Sequence, residues 1–188
     1  MDAPGDDRRW LLLTYRVPSK SSRARVAVWR DLRRLGALYL QQAVCVLPDV
    51  DDVRESLSAI RAKIAELDGT SFFAVLTDLE PSERQQLVDG FIAGSEKDYA
   101  EIVEECETKF FKEIEFERFR QNYTFEETEE IGQDLEKLRR WLAKVIARDW
   151  MSAPGRALAE AKVAECAVLL EDFENDVYQR SGQGEETE

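Results

Sequence analysis

Hydrophobic spacing changes character once along this chain, close to Thr77, and that change restricts the folds open to it. Before Thr77, short apolar runs alternate with helical stripes. "RWLLLTYRV" reads as a strand of apolar, Thr and Tyr residues that Pro18 stops. Ser19, Ser21 and Ser22 are N-cap candidates for the helix that follows, and Gly36 is its natural end. "ALYLQQAVCVLP" holds two strand-like runs around Gln41 and Gln42, a hairpin with a poor turn signal. Asp49 or Asp51 can cap a second helix carrying Val53, Leu57, Ile60, Ile64 and Leu67, which Asp68-Gly69 ends before the strand "TSFFAVLT". The order β-α-β-β-α-β over residues 8–78 predicts a ferredoxin-like α+β domain, with two helices on one face of a four-stranded antiparallel sheet.

From Glu80-Pro81-Ser82 onward the spacing is helical, which predicts a helical domain over 79–180. Tyr99, Val103, Cys106, Phe110 and Ile114 recur at helical intervals. Thr124 with Glu127 makes a capping box, and Ile131, Leu135, Leu138, Leu142 and Val145 follow in heptad spacing. "SAPGR" interrupts the chain before Val163, Cys166, Leu170, Phe173 and Val177. Short connections between such helices predict an antiparallel bundle or hairpin, with helix exceeding strand. "KFFKEIEFERF" puts Phe110, Phe111, Phe116 and Phe119 on more than one face, which predicts that they pack on the β-domain as well as within the bundle. Lys97 with Glu101 and Lys109 with Glu113 are spaced for ion pairs, and residues 1–7 and 181–188 are expected to be disordered tails.

Composition removes several functions. There is no histidine, so Ser-His and Cys-His dyads, imidazole bases and the commonest metal ligand are all missing. Carboxylates at Glu101, Glu104, Glu105, Glu113, Glu115 and Glu117 therefore lack the Glu-x-x-His partners of a di-metal bundle, and most of them read as solvated. Cys45, Cys106 and Cys166 are an odd set without C-x-x-C spacing and read as apolar fillers. No phosphate-binding glycine loop occurs, and no acid stands at Thr14-Tyr15-Arg16, where a metal-dependent nuclease of similar topology would carry one. The expectation is a non-enzymatic protein with no catalytic residue, cofactor or metal. The longest apolar run near the N-terminus, Trp10 to Leu13, is too short for a signal or a membrane span, so a cytoplasmic protein without membrane contact is expected.

Within a net charge of -13, "SSRARVAVWRDLRRLG" carries five arginines against one acid. Ala24, Val28, Trp29, Leu32 and Leu35 share its apolar face and Trp29 reads as core, while Arg23, Arg30, Arg33 and Arg34 lie opposite. Two readings stand. The guanidinium groups can contact phosphates or another oxyanion, or they can pair with the acidic helices between Asp78 and Glu130. With Trp29 assigned to the core, no aromatic is left among the arginines, which argues against stacking on single strands. The open sheet edges and the heptad helices predict a homodimer.

As one block, "WLLLTYRVPSKSSRARVAVWRDLRRLGALYLQQAVCVLPD" resembles the N-terminal domain of ChrB chromate-resistance regulators, and "RDWMSAPGR" resembles a second segment of that family. The correspondence falls on Arg16, Pro18, Arg25, Trp29, Arg30, Gly36 and Pro48. The resemblance implies chromate-responsive transcriptional control, with DNA or chromate as partner. The candidate anion- or DNA-binding residues are then Arg16, Arg23, Arg25, Arg30, Arg33 and Arg34. The alternative is a scaffold protein whose arginines pair with its own acids. ChrB proteins carry a further C-terminal domain; if that domain supplies chromate chemistry, the expectation here is a chain that only binds or that acts with a separate partner.

Overall fold

The computed structural model describes residues 8–18 and 22–183. Ser19, Ser21, residues 1–7 and residues 184–188, on which some of the expectations above fall, lie outside the described residues. The chain is α+β, in the order β1 (Trp10–Arg16), α1 (Ser22–Arg34), β2 (Leu38–Gln41), β3 (Val44–Pro48), α2 (Asp51–Glu66) and β4 (Thr70–Leu76). There follow α3 (Pro81–Glu105), a π-helical turn (Cys106–Phe110), α4 (Phe111–Arg120), α5 (Phe125–Ile146) and α6 (Arg156–Gln183). It divides into two compact units: Met1–Gly94 with Arg148–Met151, and Ser95–Ala147 with Ser152–Glu188.

In the first unit the strands form one sheet in the order β2-β3-β1-β4, every neighbouring pair antiparallel. Strand alternation sends Leu11 and Leu13 of β1, with Cys45 and Leu47 of β3, into a core shared with Val28 and Leu32 of α1 and Leu57 and Ile64 of α2. The other face is not left to solvent. Trp10 and Val46 pack there with Leu87 and Phe91 from the start of α3, and the Trp10 and Phe91 rings stack at 5.4 Å. Gly90 permits this approach, since a Cβ there would stand 2.9 Å from Leu38 Cδ2. The sheet is thus covered on both sides, where the sequence pattern predicted helices on one face only.

Helix α1 closes with a Schellman turn. Gly36, at φ 78, donates to the Arg33 carbonyl at 3.1 Å, and Ala37 donates to that of Leu32 at 3.0 Å. The segment Arg148–Met151 seals this end: Trp150 Nε1 donates to the Leu35 carbonyl at 3.2 Å, and Arg8 Nη1 donates to the Trp150 carbonyl at 3.0 Å. At α2 neither Asp49 nor Asp51 caps. Val50, whose side chain has no hydrogen-bonding group, is the N-cap residue, and the Asp49 carboxylate is taken by Arg54 and Arg9 instead.

In the second unit α5 and α6 bury every heptad position named above. Thr124 accepts from the Glu127 amide at 3.3 Å; the reciprocal half of the box is missing, since the Glu127 carboxylate takes a hydrogen bond from Asn122 at 3.0 Å instead. Buried Tyr99, Ile102, Cys106, Phe110 and Ile114 face inward, with Ile102 where Val103 was expected. Three successive steps of four drift round an α-helix, and the wider π turn at Cys106–Phe110 takes up the drift. Cys106 and Cys166 are both fully buried. Two expectations are corrected here: Phe116 and Phe119 are 54% and 85% exposed rather than packed, and Lys109 pairs back to Glu105 at 2.7 Å rather than forward to Glu113. Glu117 is the buried exception among the acids, with Asn122 donating to it at 2.6 Å. Lys97 does reach Glu101, at 3.8 Å, and α6 continues through Ser181 to Gln183, part of the expected tail.

Candidate functional site

Helix α1 meets the sheet by the face that Ala24, Val28 and Leu32 define. Trp29, one residue past Val28, is about 100° further round. It therefore leaves the core and stands 47% exposed, which corrects its assignment as a core residue. The side of α1 that carries Trp29 looks across at the β2–β3 hairpin. Between them is an open cleft of about 650 Å³, walled by Val26 and Trp29 of α1, Tyr39 and Leu40 of β2, and Tyr15 of β1. Arg16, at the end of β1, and Arg25 of α1 line the same cleft. The hairpin turn at Gln42 and Ala43 forms its rim, held by the bond from the Tyr15 amide to the Ala43 carbonyl at 3.0 Å and by Ala43 at φ 62.

All six arginines picked out from the sequence are exposed, but they do not form one strip. Arg25, Trp29 and Arg33 follow at intervals of four, hence on one side of the helix. The Arg33 guanidinium lies over the Trp29 ring at 6.0 Å, and Arg25 Nη1 donates to the Pro18 carbonyl at 3.5 Å. Arg23, Arg30 and Arg34 occupy the solvent side; Arg34 pairs with Asp31 at 3.2 Å, and Asp31 also takes Lys63 of α2 at 2.6 Å. The exposed Trp29 removes the objection that the arginines have no aromatic among them.

At the floor of the cleft the hydroxyls of Tyr15 and Tyr39 are 2.9 Å apart. Burial raises both phenols above their ordinary range; their mutual hydrogen bond raises Tyr39 further and partly offsets the rise at Tyr15. Beneath them burial pushes the Cys45 thiol up to about 12. The floor is therefore neutral at physiological pH and the positive charge sits at the cleft's edge. One hydroxyl must donate to the other, which leaves one O–H to donate to a guest. Of the residues lining the cleft, the sequence pattern singles out Arg16 and Arg25 as candidates and not Tyr15, Tyr39, Val26 or Leu40. The one local signal was the four-residue spacing of Arg25, Trp29 and Arg33, which sets an aromatic between two cations.

Among the described residues no group of three or more Cys, Asp or Glu is placed to hold a metal ion, and no helix is long and apolar enough to cross a membrane. Fold and cleft together define an α+β domain with a cationic, aromatic-walled recess beside its first helix. The chain belongs to the family described as Protein ChrB, N-terminal, whose match covers residues 25–184. Over 60 residues it is 35% identical to Protein ChrB of Cupriavidus metallidurans, a segment that covers 32% of this chain and 18% of that protein. No solved structure matches the chain. The family match takes in Arg25, Trp29, Arg33 and Tyr39, whereas Tyr15 and Arg16 precede it.

Proposed function

We propose that this chain serves chromate resistance as a regulatory protein, acting through binding rather than catalysis, and that the solvent side of α1 engages duplex DNA. Family membership supports the chromate-resistance setting, and the lack of histidine supports binding over catalysis. The observation that carries the DNA reading is the exposure of Arg23, Arg30 and Arg34 on one side of a helix in a chain of net charge -13. Water screens the exposed Arg34–Asp31 pair, so a phosphate backbone can serve as the anionic counterpart of all three cations. We also read the β2-β3-β1-β4 order with its two helical crossovers as ferredoxin-like, and α5 with α6 as the centre of an antiparallel helical bundle.

Each phosphate contact contributes about -0.9 to the slope of log K against log salt, so three contacts give about -2.7. Arg30→Ala with Arg34→Ala should lower that slope by about 1.8 while the fold stays intact, because both side chains are solvent-facing. Titration of duplex DNA at two salt concentrations, on wild type and double variant, reads this directly. Absence of binding at low salt would remove the DNA reading.

The same reading includes a homodimer. Strands β2 and β4 each have a neighbour on one side only, and Leu40 and Phe72 on them are exposed. Light scattering should give twice the chain mass of 21.6 kDa at high micromolar concentration, and a monomer there counts against the dimer.

A further inference from the structure

We propose that the cleft between α1 and the β2–β3 hairpin binds a small organic anion with a flat apolar body, rather than a bare inorganic oxyanion. The proposal rests on the anion reading only for the sign of the guest's charge, and DNA contact by Arg23, Arg30 and Arg34 would leave it untouched. Volume is the first ground. The cleft measures about 650 Å³, within the range of roughly 300–1,000 Å³ that small-molecule sites occupy. A water takes about 30 Å³ of liquid, and a four-oxygen anion only a few times that, so such an ion would leave most of the cleft unfilled.

The chemistry of the walls is the second ground. Val26, Trp29 and Leu40 are 43%, 47% and 49% exposed, and all three line this one recess. An inorganic oxyanion gains nothing from an indole face and two aliphatic side chains, whereas a ring or chain laid against them removes apolar surface from water. Arg16 and Arg25 then supply charge-assisted hydrogen bonds to a carboxylate, sulfonate or phosphate at one end of the guest. The Tyr15–Tyr39 pair, neutral because burial holds both phenols protonated, offers one O–H to an acceptor on the apolar body. The Arg33 guanidinium, over the Trp29 ring at 6.0 Å, places a further cation beside this wall.

The test uses the full chain and anilinonaphthalene sulfonate, an aromatic sulfonate whose fluorescence reports its binding. One saturable site per chain is expected. Arg25→Gln and Trp29→Ala should each weaken it about tenfold, the scale of one charge-assisted hydrogen bond or one lost aromatic wall. Lys97→Gln, which removes an exposed charge in the other unit, should leave the affinity unchanged. N-phenylnaphthylamine, the same rings without the sulfonate, should bind less tightly, and millimolar sulfate should not displace the probe. Circular dichroism confirms that each variant is folded, and Arg25→Gln carries the test if Trp29→Ala does not fold. Equal binding of the neutral compound, full affinity in Arg25→Gln, or displacement by sulfate would overturn the proposal. Because the DNA titration uses Arg30 and Arg34, failure of one reading is seen separately from failure of the other.

Discussion

Asp49 shows how one carboxylate can be claimed by partners that its neighbours in sequence do not reveal. Its side chain is 1% exposed, and its two oxygens take Nε and Nη2 of Arg54 together with Nε of Arg9, the last at 3.1 Å. The Arg54 hydrogen bonds hold its pKa below the usual carboxylate range, against the opposing effect of burial, and the charges of Arg54 and Arg9 add to the lowering. A depressed native pKa contributes stability that is complete above the unfolded value of about 3.9 and is lost as pH falls through the native value. Asp49→Asn should therefore lower the melting temperature at pH 7, and the gap to wild type should close as pH drops below about 4. A constant gap across that range would show that the charge is not what stabilises. Placed before a helix, Asp49 reads as a cap; Arg9, forty positions earlier, is the partner that the local pattern could not disclose. Trp29 teaches the same lesson. Spacing correctly assigned Ala24, Val28 and Leu32 to the core, but whether the next residue is buried depends on the hairpin across from it, where Tyr39 and Leu40 leave a recess open.

At the scale of elements, legibility followed locality. The stripes of α5 and α6 were readable because heptad spacing is a property of adjacent turns, and all ten positions named for them are buried. The Thr124 cap was readable for the same reason. Thr124→Ala should cost about 1 kcal/mol, measured by urea denaturation, with no change in the native helix content. A loss below a few tenths would mean that the Asn122–Glu127 bond holds this helix end without the hydroxyl. The π turn was not legible as such. Its signature, buried residues repeating at intervals of four from Ile102 to Ile114, passes for an ordinary helical stripe until the drift is followed over several turns. Pairing direction was similarly hidden: Lys109 has acids four residues away on both sides, and the structure selects Glu105. Glu113 meanwhile has its pKa raised, by burial first and then by the charges of Asp134, Glu127, Glu117 and Glu130.

For the whole molecule, the feature least visible in sequence is that the first unit is completed from a distance. "SAPGR" reads as a break between helices and the "RDWM" before it shows no local partner, yet Arg148–Met151 belongs with Met1–Gly94. Trp150 fills the space beside Gly36, where a Cβ would stand 2.7 Å from its Nε1, and accepts Arg8 on its carbonyl. Trp150→Ala should destabilise the first unit by about 2 kcal/mol or more, read by denaturation together with faster hydrogen exchange at Gly36 and Ala37. Exchange there at the wild-type rate would show that the Schellman turn holds without the indole.

A ribosome delivers residues in order, at about 5–20 per second, so the strands and helices of the first unit emerge well before Trp150 does. For the seconds that separate Gly94 from Arg148, the nascent chain holds its arginine helix with the last turn unsealed and the Leu35 carbonyl still without its indole donor. Only after the rest of α3, the π turn, α4 and α5 have been translated does the helix that carries Arg25 and Trp29 acquire its final C-terminal anchor. A chain arrested before Arg148 would thus lack the indole donor at the end of its arginine helix, which makes completion of the first unit a late event in the protein's own synthesis.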